Sequence, residues 1–193
     1  MNIEYEATFT NIQKESVRNK LKELGAVLVK PELLQKRSVF HLPPGQEVKG
    51  GWARVRDEGD KITMSIKIVD GDKIQNQRES CLIINDFAEA EQLLETLGCR
   101  KKAYQESLRE LWMIDSVEVT IDTWPFLDTF VEVEGKTEEA VKAVSEGLGF
   151  VWTEAKFCAV DKLYAEKYGI SESVINDHTP FITFDMQNPF LVK

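Results

Sequence analysis

The sequence predicts an α+β protein built on an eight-stranded antiparallel β-barrel, or tunnel, with flanking helices. Three observations lead to this prediction. About eight segments alternate apolar and polar residues with period two, short turns join several of them, and a few helical segments interrupt the series. Closing the strands into a barrel removes the free edges that invite aggregation.

The first half of the chain begins with a strand and a helix and continues as a meander. Residues 2–9, NIEYEATF, alternate apolar and polar side chains. The segment NIQKESVRNKLKELG has Val17, Leu21 and Leu24 at helical spacing and ends at Gly25. After it come four extended segments with a Pro- and Gly-rich loop and two turns between them: LLQKRSVFHL, WARVRDE, KITMSIKIV and QNQRESCLII.

The second half contains three predicted helices and three predicted strands. The segment DFAEAEQLLETLG predicts a helix that Asp86 caps and Gly98 ends. The strands are SLRELWMI, VEVTIDTW and TFVEVEG, and the later helices are KTEEAVKAVSEGLG and AVDKLYAEKYG. These elements make residues 1–170 one predicted domain. The tail, residues 171–193, carries apolar residues among Pro and Asn, so we expect it to pack on the domain or on a partner.

The composition is that of an ordinary globular protein and limits the classes of function. Of 193 residues, 42% are hydrophobic and 30% are charged. Lys and Arg number 24 and Asp and Glu 33, a net charge of −9, which argues against nucleic acid as a partner. We see no signal-peptide pattern and no stretch of ~20 apolar residues, so we expect no membrane partner and a cytoplasmic location.

The three cysteines are widely spaced and form neither a CxxC motif nor a zinc pattern. Cys81 and Cys99 lie in apolar segments, which predicts ordinary buried thiols in a reducing compartment.

The opening strand has an unusual polar face, because Glu4 and Glu6 share it. At a strand rise of ~3.3 Å per residue, their carboxylates lie roughly 7 Å apart. At an effective dielectric constant of ~20, their repulsion costs about 2.4 kcal/mol when both are shielded from water. Two interpretations follow. The face is either the solvated side of a half-exposed strand, or it lines an enclosed cavity in which a cation compensates both carboxylates.

Other strands also group charges of one sign on one face, which favours the second interpretation. Surface ion pairs between such strands would contribute only ~0–1 kcal/mol each. If these faces line the interior of a barrel, they form two walls of opposite charge. The acidic wall consists of Glu4, Glu6, Asp122, Glu132 and Glu134, and the basic wall consists of Arg54, Arg56, Lys67 and Arg109, with Arg78 as a weaker candidate.

Two such walls suit a polyphosphate and a divalent metal. Carboxylate oxygens without His or Cys are ligands of hard cations, which implies Mg²⁺ or Mn²⁺. Arg binds phosphate oxygens two at a time, and Lys adds a compact positive charge. The metal would neutralise the acidic wall, and the polyphosphate would bridge the metal to the basic wall. Glu4 and Glu6 would then pair with a cation instead of repelling each other.

The same residues give the sequence a resemblance to the CYTH family, the triphosphate tunnel metalloenzymes. The mark of the family is an N-terminal ExExK on the first strand, where EYEAT supplies Glu4, Glu6 and then Thr8. The similarity runs from about residue 3 to residue 168. It continues through RVR (Arg54, Arg56), the strand residue Lys67, SLREL (Arg109), TID (Asp122), VEVEG (Glu132, Glu134) and EAKFCAVDKLY (Lys156).

The resemblance implies an eight-stranded antiparallel tunnel that binds a triphosphate with a divalent metal. Family members hydrolyse inorganic triphosphate, thiamine triphosphate or nucleoside triphosphates, or convert ATP to cyclic AMP and pyrophosphate as class IV adenylate cyclases. The implied metal ligands are Glu4, Glu6, Asp122, Glu132 and Glu134. The implied phosphate-binding residues are Arg54, Arg56, Lys67, Arg109 and Lys156, and the implied catalytic residues are Glu4, Glu6, Arg56 and Lys67.

Two positions depart from the family pattern. Thr8 replaces the motif lysine, and Ser107 stands where many relatives have a lysine. Each change removes one phosphate-facing charge. Three functions therefore stay open: a triphosphatase acting on tripolyphosphate, thiamine triphosphate or ATP; a class IV adenylate cyclase; and a protein that binds a triphosphate without turning it over. For the oligomeric state we expect a homodimer, because homodimers are the commonest oligomers of soluble proteins.

Overall fold

The computed structural model describes residues 1–191, in which the chain forms ten strands and five α-helices. The strands are β1 (Asn2–Ile3), β2 (Tyr5–Phe9), β3 (Val27–His41), β4 (Gly51–Asp57), β5 (Ile62–Val69), β6 (Gln77–Ile84), β7 (Arg100–Ile114), β8 (Val117–Thr123), β9 (Phe130–Gly135) and β10 (Phe181–Ile182). The helices are α1 (Lys14–Glu23), α2 (Phe87–Thr96), α3 (Glu138–Gly147), α4 (Val160–Tyr168) and α5 (Glu172–His178).

The sheet closes on itself through the beginning of the chain. The strand order is β1-β6-β5-β4-β3-β7-β8-β9-β2, so β1 and β2 lie at its two ends. Both pair antiparallel, β1 with β6 and β2 with β9. Only Glu4 separates β1 from β2, and its backbone N–H donates to the carbonyl of Gln77 (3.0 Å). Counted as one strand, β1 and β2 complete an eight-stranded antiparallel barrel, which confirms the predicted fold class.

Every second residue of β2, β8 and β9 faces outward and packs under α1 and α3. Val119, Ile121, Val131 and Val133 are fully buried in this layer. From the helices, Val17, Leu21 and Val141 complete the same hydrophobic core. Since strand side chains alternate between faces, the polar residues between these valines and isoleucines face the interior of the barrel.

The helices are short, from 7 to 10 residues, and cover the outside of the barrel. Helix α2 packs Ala90 and Leu94 against the outward side of β3 and β4. The side chain of Asp86 accepts a hydrogen bond from the backbone N–H of Glu89 (2.8 Å), which confirms the predicted cap. Among the described residues, no helix has both the length and the apolar character needed to cross a membrane.

The tail packs on the domain as far as the structure describes it. Strand β10 pairs in parallel with β7. Ile175 of α5, Ile182 of β10 and Phe190 are buried beside Tyr164 of α4 in a second hydrophobic cluster. The last two residues of the predicted tail, 192–193, lie outside the described residues.

Strands β3 and β7 are longer than the sequence predicted, with fifteen residues each. They pair with each other along most of their length, with register shifts around Lys30 and Leu33. The predictions began only at residues 33 and 107. The earlier part of β3 was not predicted because it contains Pro31, which lacks an N–H. The earlier part of β7 was not predicted because it is mostly polar.

The cysteines are free thiols, and their burial differs from the prediction at one position. Cys99 and Cys158 are buried, whereas Cys81 is exposed. The prediction of a buried Cys81 is wrong because β1 pairs with β6 only at Arg78 and Glu79. Beyond Glu79, that edge of β6 has no neighbouring strand among the described residues.

Candidate functional site

The inward-facing side chains meet in one polar cavity inside the barrel. Its free volume is about 80 Å³, because ion pairs between its own walls fill much of the interior. Eight predicted site residues line it: Glu4, Glu6, Arg54, Arg56, Lys67, Arg109, Glu132 and Glu134. A ninth, Asp122, is fully buried and bonds to Arg109 from the neighbouring strand.

Three neighbouring strands, β2, β9 and β8, build the acidic wall. In the sheet register, Glu6 lies opposite Glu134, and Glu134 also lies opposite Glu118. Directly opposite residues of an antiparallel pair have Cβ atoms ~5 Å apart on the same face, where like charges destabilise the pair. The acidic wall is therefore under strong repulsion unless a cation compensates it.

Burial and this repulsion raise the pKa of three carboxyl groups. The pKa of Glu4 rises to about 8, mainly because of burial, and the pKa of Glu134 rises to about 7, because of burial and then of Glu6. Burial also raises the pKa of Glu6, although Lys67 acts in the opposite direction.

Lys67 is the internal counter-ion of the acidic wall. Its Nζ atom lies 3.1 Å from Oε2 of Glu4 and 3.3 Å from Oε2 of Glu6, and the residue is only 9% exposed. Burial alone would lower the pKa of Lys67, but Glu6 and Glu4 raise it above its ordinary value. Lys67 therefore stays charged and holds the two carboxylates of the opening strand.

Arg54 and Arg109 of the basic wall pair with carboxylates of nearby strands. Nη2 of Arg54 lies 2.8 Å from Oε1 of Glu79. Burial would raise the pKa of Glu79, but Arg54 and neighbouring hydrogen bonds lower it to about 2. Arg109 joins two neighbouring strands, since its Nε lies 2.7 Å from Oδ1 of Asp122 and its Nη2 lies 2.5 Å from Oε2 of Glu132.

Arg56 is held by a residue that the sequence analysis did not select. Its Nε and Nη2 donate to Oε1 of Glu58, at 3.1 and 2.9 Å. Glu58 is buried and also contacts Thr63 and Lys61. The signal was present, since period two in WARVRDE places Glu58 on the same face as Arg54 and Arg56.

Arg37 of β3 is a cavity residue that the sequence analysis missed. Its Nε donates to Oε1 of Gln105 (2.9 Å), and its Cζ lies 4.2 Å from the centre of the Trp124 ring. Burial, followed by repulsion from Arg54 and Arg56, lowers the pKa of Arg37 well below its ordinary value. Among residues 1–191, no carboxylate forms a salt bridge with it. The signal was present, since Arg37 alternates with outward-facing neighbours in RSVF.

The weaker candidate Arg78 lies outside the barrel. It is exposed and stands in register with Ile68, whereas its neighbour Glu79 stands in register with Lys67 and faces the cavity. The assignment of Arg78 to the basic wall is therefore wrong. Neighbouring residues of a strand face opposite sides of the sheet, and the sequence analysis selected Arg78 instead of the adjacent Glu79.

Lys156 lies beside the barrel wall and does not line the cavity. Its backbone exchanges two hydrogen bonds of 2.9 Å with Thr8, which extends the sheet beyond β2. Its Nζ contacts the carboxylate of Glu166 on α4. The structure therefore separates Lys156 from the other predicted phosphate-binding residues.

The two positions that depart from the expected lysines both face inward. Thr8 lies opposite Glu132 and is 2% exposed. Ser107 lies opposite Gln35 and is 5% exposed. Neither residue supplies a charge to the cavity.

The carboxylates of the acidic wall are suitable ligands for a divalent cation. In this structure Glu4 and Glu6 contact Lys67, and Asp122 and Glu132 contact Arg109. The register that places Glu6 opposite Glu134, together with the raised pKa values of Glu4 and Glu134, shows more acidic groups than Lys67 alone can compensate. In the described part of the chain, no three His, Cys, Asp or Glu side chains already converge as a metal centre. A metal would therefore compete with Lys67 for Glu4 and Glu6.

A larger groove of about 600 Å³ lies outside the barrel. It runs between the turn at Asn11 and the loop at Gly149, and its lining mixes apolar and amide side chains. Its charged residues, Glu154 and Lys156, have opposite signs. It lacks the convergent charges of the barrel interior, where we place the candidate site.

Comparison of the sequence with protein families gives one match. Residues 1–162 match the family model described as CYTH domain. No curated protein matches the chain.

Solved structures share the fold at low sequence identity. The PH1012 protein of Pyrococcus horikoshii OT3 is 19% identical with a TM-score of 0.70, and the alignment covers 83% of this chain and 98% of that one. A candidate adenylate cyclase of Vibrio parahaemolyticus is 13% identical with a TM-score of 0.72, over 85% and 98%. A candidate adenylyl cyclase of Hippeastrum, described as having a dominant triphosphatase activity, is 15% identical with a TM-score of 0.56, over 89% and 97%.

Proposed function

The chain belongs to the CYTH domain family, and on that basis we propose that it is a metal-dependent phosphohydrolase that binds a triphosphate inside the barrel. One observation carries the proposal. Acidic side chains of β2, β8 and β9 face basic side chains of β3, β4, β5 and β7 across one cavity. A triphosphate with a bound cation has the charge distribution that matches these two walls.

The basic wall would bind the phosphate oxygens. Arg54, Arg56, Lys67 and Arg109 line the cavity and are each held by a carboxylate. Phosphate oxygens would replace part of these carboxylates as acceptors, so the cavity opens as the ligand enters. Within residues 1–191, Arg37 bonds to the neutral side chain of Gln105, so it can bind phosphate without giving up an ion pair there.

The acidic wall would hold the metal. The proposed ligands of Mg²⁺ or Mn²⁺ are Glu4, Glu6, Asp122, Glu132 and Glu134. When bound, the metal would neutralise phosphate charge and make a coordinated water more acidic. Glu4 and Glu6 would then no longer need Lys67, whose ammonium group could turn to the phosphate.

The proposed reaction is hydrolysis of the terminal phosphoanhydride. A water oxygen forms a bond to the terminal phosphorus, the bridging P–O bond breaks, and orthophosphate and a diphosphate leave. Arginines around the cavity stabilise charge on the equatorial oxygens during this largely dissociative transfer. Neither histidine of the chain lines the cavity, so the residues present suit a reaction without a histidine base.

Binding without turnover is the second candidate, and a specific observation favours it. Thr8 and Ser107 face inward in place of lysines, so the cavity has two fewer positive charges than the family pattern expects. Fewer charges stabilise the transferred phosphoryl group less. The protein would then act as a triphosphate sensor.

One set of assays tests these functions. The protein is incubated with tripolyphosphate, thiamine triphosphate or ATP, with Mg²⁺ or Mn²⁺ or with a chelator, and both orthophosphate and cyclic AMP are measured. Metal-dependent release of orthophosphate supports the hydrolase, and cyclic AMP from ATP would make the protein a cyclase instead. Calorimetric binding without products would favour the sensor. If none of the three ligands binds with either metal, the proposal is wrong.

A further inference from the structure

Strand β6 has a free edge over its second half. Strand β1 pairs with β6 only at Arg78 and Glu79, and beyond Glu79 no strand of the described chain lies along the same edge. The other edge of β6 pairs with β5 from Gln77 to Ile84 without a register shift. Residues 80–84 are therefore a regular strand segment that is open on one side.

The backbone groups that point to this free edge belong to Cys81 and Ile83. The carbonyl of Gln77 accepts a hydrogen bond from the N–H of Glu4 (3.0 Å), on the side of β1. In an antiparallel ladder, the N–H and C=O of one residue point to the same side, and the side alternates along the strand. Cys81 and Ile83 therefore direct two N–H and two C=O groups away from β5, whereas Leu82 pairs with β5.

The free edge of β6 lacks the features that usually prevent pairing with another chain. Exposed edges are commonly protected by charged residues, proline or β-bulges. Residues 80–85, SCLIIN, contain neither a charge nor a proline. The first part of β3, where β4 pairs only from Lys36 onward, is different. It contains Pro31 and register shifts around Lys30, whose Nζ lies 2.6 Å from Oδ1 of Asp60.

Apolar side chains are exposed along the free edge of β6. Leu82 is 62% exposed and Ile83 is 74% exposed. On the outward face of the sheet, Ile66 of β5 lies diagonally from Leu82 and is 41% exposed. Single exposed apolar residues are ordinary on a protein surface. Here they adjoin unpaired backbone groups, so this edge combines apolar area with hydrogen-bonding capacity.

The segment is complementary to itself about Leu82. When two copies of β6 lie antiparallel with Leu82 opposite Leu82, Cys81 of each copy lies opposite Ile83 of the other. Four N–H···O=C bonds then form, and they use every backbone group that Cys81 and Ile83 direct to the edge. Such a pairing has a two-fold axis, so each copy contributes the same surface.

The charges beside the segment match in the same arrangement. Arg78 precedes Leu82 by four residues and Asp86 follows it by four, so the axis brings Arg78 of one copy towards Asp86 of the other. Arg78 is exposed and forms no salt bridge within residues 1–191. Asp86 is also exposed, and only its Oδ1 caps α2. Two chains of net charge −9 would thus meet through an uncharged segment with opposite charges at its ends.

We propose that residues 80–84 of β6 form the interface of a homodimer in which two barrels join edge to edge. The partner is a second copy of this chain, and the two-fold axis passes beside Leu82. A stable dimer buries ~1,600 Å² in total, and an edge of five residues supplies less, so the dimer dissociates on dilution. This inference does not depend on the proposed function, because the pairing uses neither wall of the cavity.

Sedimentation of the full chain tests the assembly. Between roughly 1 and 100 μM, we expect the mass to rise from that of the 22.1 kDa chain towards twice that value. Leu82→Lys places two ammonium groups face to face at the axis and should remain a monomer throughout this range. Leu97→Lys, at a leucine of α2's C-terminal end that is also 62% exposed, should dimerise like the unsubstituted protein.

Two results of this experiment would overturn the proposal. A monomer at every concentration would leave the edge to an extended segment of another protein. A dimer that Leu82→Lys leaves unchanged would place the interface elsewhere on the surface.

Ile83→Pro tests the backbone pairing. Proline removes the N–H that points to the free edge and leaves the ladder with β5 intact. Because one hydrogen bond is lost in each copy, we expect the two chains to associate at least roughly tenfold more weakly. Circular dichroism checks that the variant is folded. A folded variant that associates as tightly as the unsubstituted protein would contradict pairing through this edge.

A disulfide reports the register. In an antiparallel pair that is not hydrogen-bonded, opposite Cα atoms lie ~4.5 Å apart, which is within the range of a disulfide. Leu82→Cys in a Cys81→Ser background should therefore form a covalent dimer on mild oxidation, seen at doubled mass on a non-reducing gel. Leu97→Cys in the same background is the control and should cross-link far more slowly. Equal rates for the two variants would mean that Leu82 does not lie at the axis, and the proposal would be wrong.

Discussion

The ammonium nitrogen of Lys67 lies 3.1 Å from Oε2 of Glu4, and this contact connects the two walls of the cavity. Lys67 belongs to the basic wall by sequence position and to the acidic wall by its contacts, since it also holds Glu6. A metal bound by Glu4 and Glu6 would release Lys67, whereas loss of the metal would draw it back. Metal binding and phosphate binding are therefore expected to favour each other.

The first prediction removes this internal counter-ion. In Lys67→Met, the carboxylates of Glu4 and Glu6 lose their cation, and breaking a buried ion pair costs about 3 kcal/mol of folding stability. We expect a lower Tm without metal, a larger rise of Tm on addition of Mn²⁺ than in the unsubstituted protein, and loss of tripolyphosphate binding. Lys142→Met on the exposed side of α3 is the control. A metal-free Tm equal to that of the unsubstituted protein would contradict the role of Lys67.

The second prediction removes the two acids of the opening strand. Glu4→Gln combined with Glu6→Gln keeps the shape of both side chains and removes the charges proposed to bind metal. We expect metal-dependent binding of tripolyphosphate to disappear in calorimetry, while circular dichroism shows a folded protein. Glu139→Gln combined with Glu146→Gln on α3 makes the same change of charge at the surface. Unchanged affinity in the first double variant would remove these residues from the site.

The sequence predicted the walls well because strand alternation is a local property. Once Val119, Ile121, Val131 and Val133 are assigned to the outside, the acids between them must face inward. The location of Lys156 could not be predicted in this way. It depends on how the segment before α4 crosses the edge of β2, which is a long-range contact with Thr8. Arg37 was missed because β3 was recognised as extended but its faces were not assigned.

The third prediction restores the motif lysine. Thr8 faces inward opposite Glu132 and is 2% exposed, so Thr8→Lys would add a charge to the cavity. We expect tripolyphosphate to bind roughly tenfold more tightly, as for one added charge-assisted hydrogen bond of about 1.5 kcal/mol. Thr8→Met, which adds length without charge, should show no gain. If the lysine variant also shows none, position 8 does not reach the ligand.

The fourth prediction concerns the attachment of α1 to the barrel. Nη2 of Arg18 lies 2.6 Å from Oε2 of Glu110, and Trp112 donates to the other oxygen. Burial raises the pKa of Glu110, but the bonds from Arg18 and Trp112 outweigh it and leave the pKa below its ordinary value of 4.5. The stabilisation is therefore fully present above pH 4.5 and is lost as pH falls below it.

Urea denaturation checks this linkage. We expect Glu110→Gln to lower the free energy of unfolding by about 2 kcal/mol at pH 7. The difference in this free energy between the two proteins should shrink as the pH falls below 4.5. Glu15→Gln removes a carboxylate that contacts the same arginine but is 75% exposed. It should cost less than about 0.5 kcal/mol. A difference independent of pH would mean that the charge of Glu110 does not stabilise α1.

The fifth prediction is a trade-off at Arg37 between stability and binding. This guanidinium lies near Arg54 and Arg56 and, in the part of the chain that the structure describes, bonds to the neutral side chain of Gln105. Burial and the two neighbouring arginines lower its pKa well below the ordinary value. Arg37→Met removes a destabilised charge, and the relief should exceed the loss of the contact with Trp124. We therefore expect the free energy of unfolding without ligand to rise by about 1 kcal/mol.

The same variant should bind tripolyphosphate at least roughly tenfold more weakly, because a charge-assisted hydrogen bond to phosphate is lost. Arg100→Met, at an exposed position of β7, removes an equal charge and should change neither quantity. Thermal unfolding and calorimetry on the three proteins measure both effects. An Arg37→Met protein that is less stable and binds as well as before would make Arg37 a structural residue. A gain in stability with a loss of binding is what we expect of a cation that the fold keeps for a ligand.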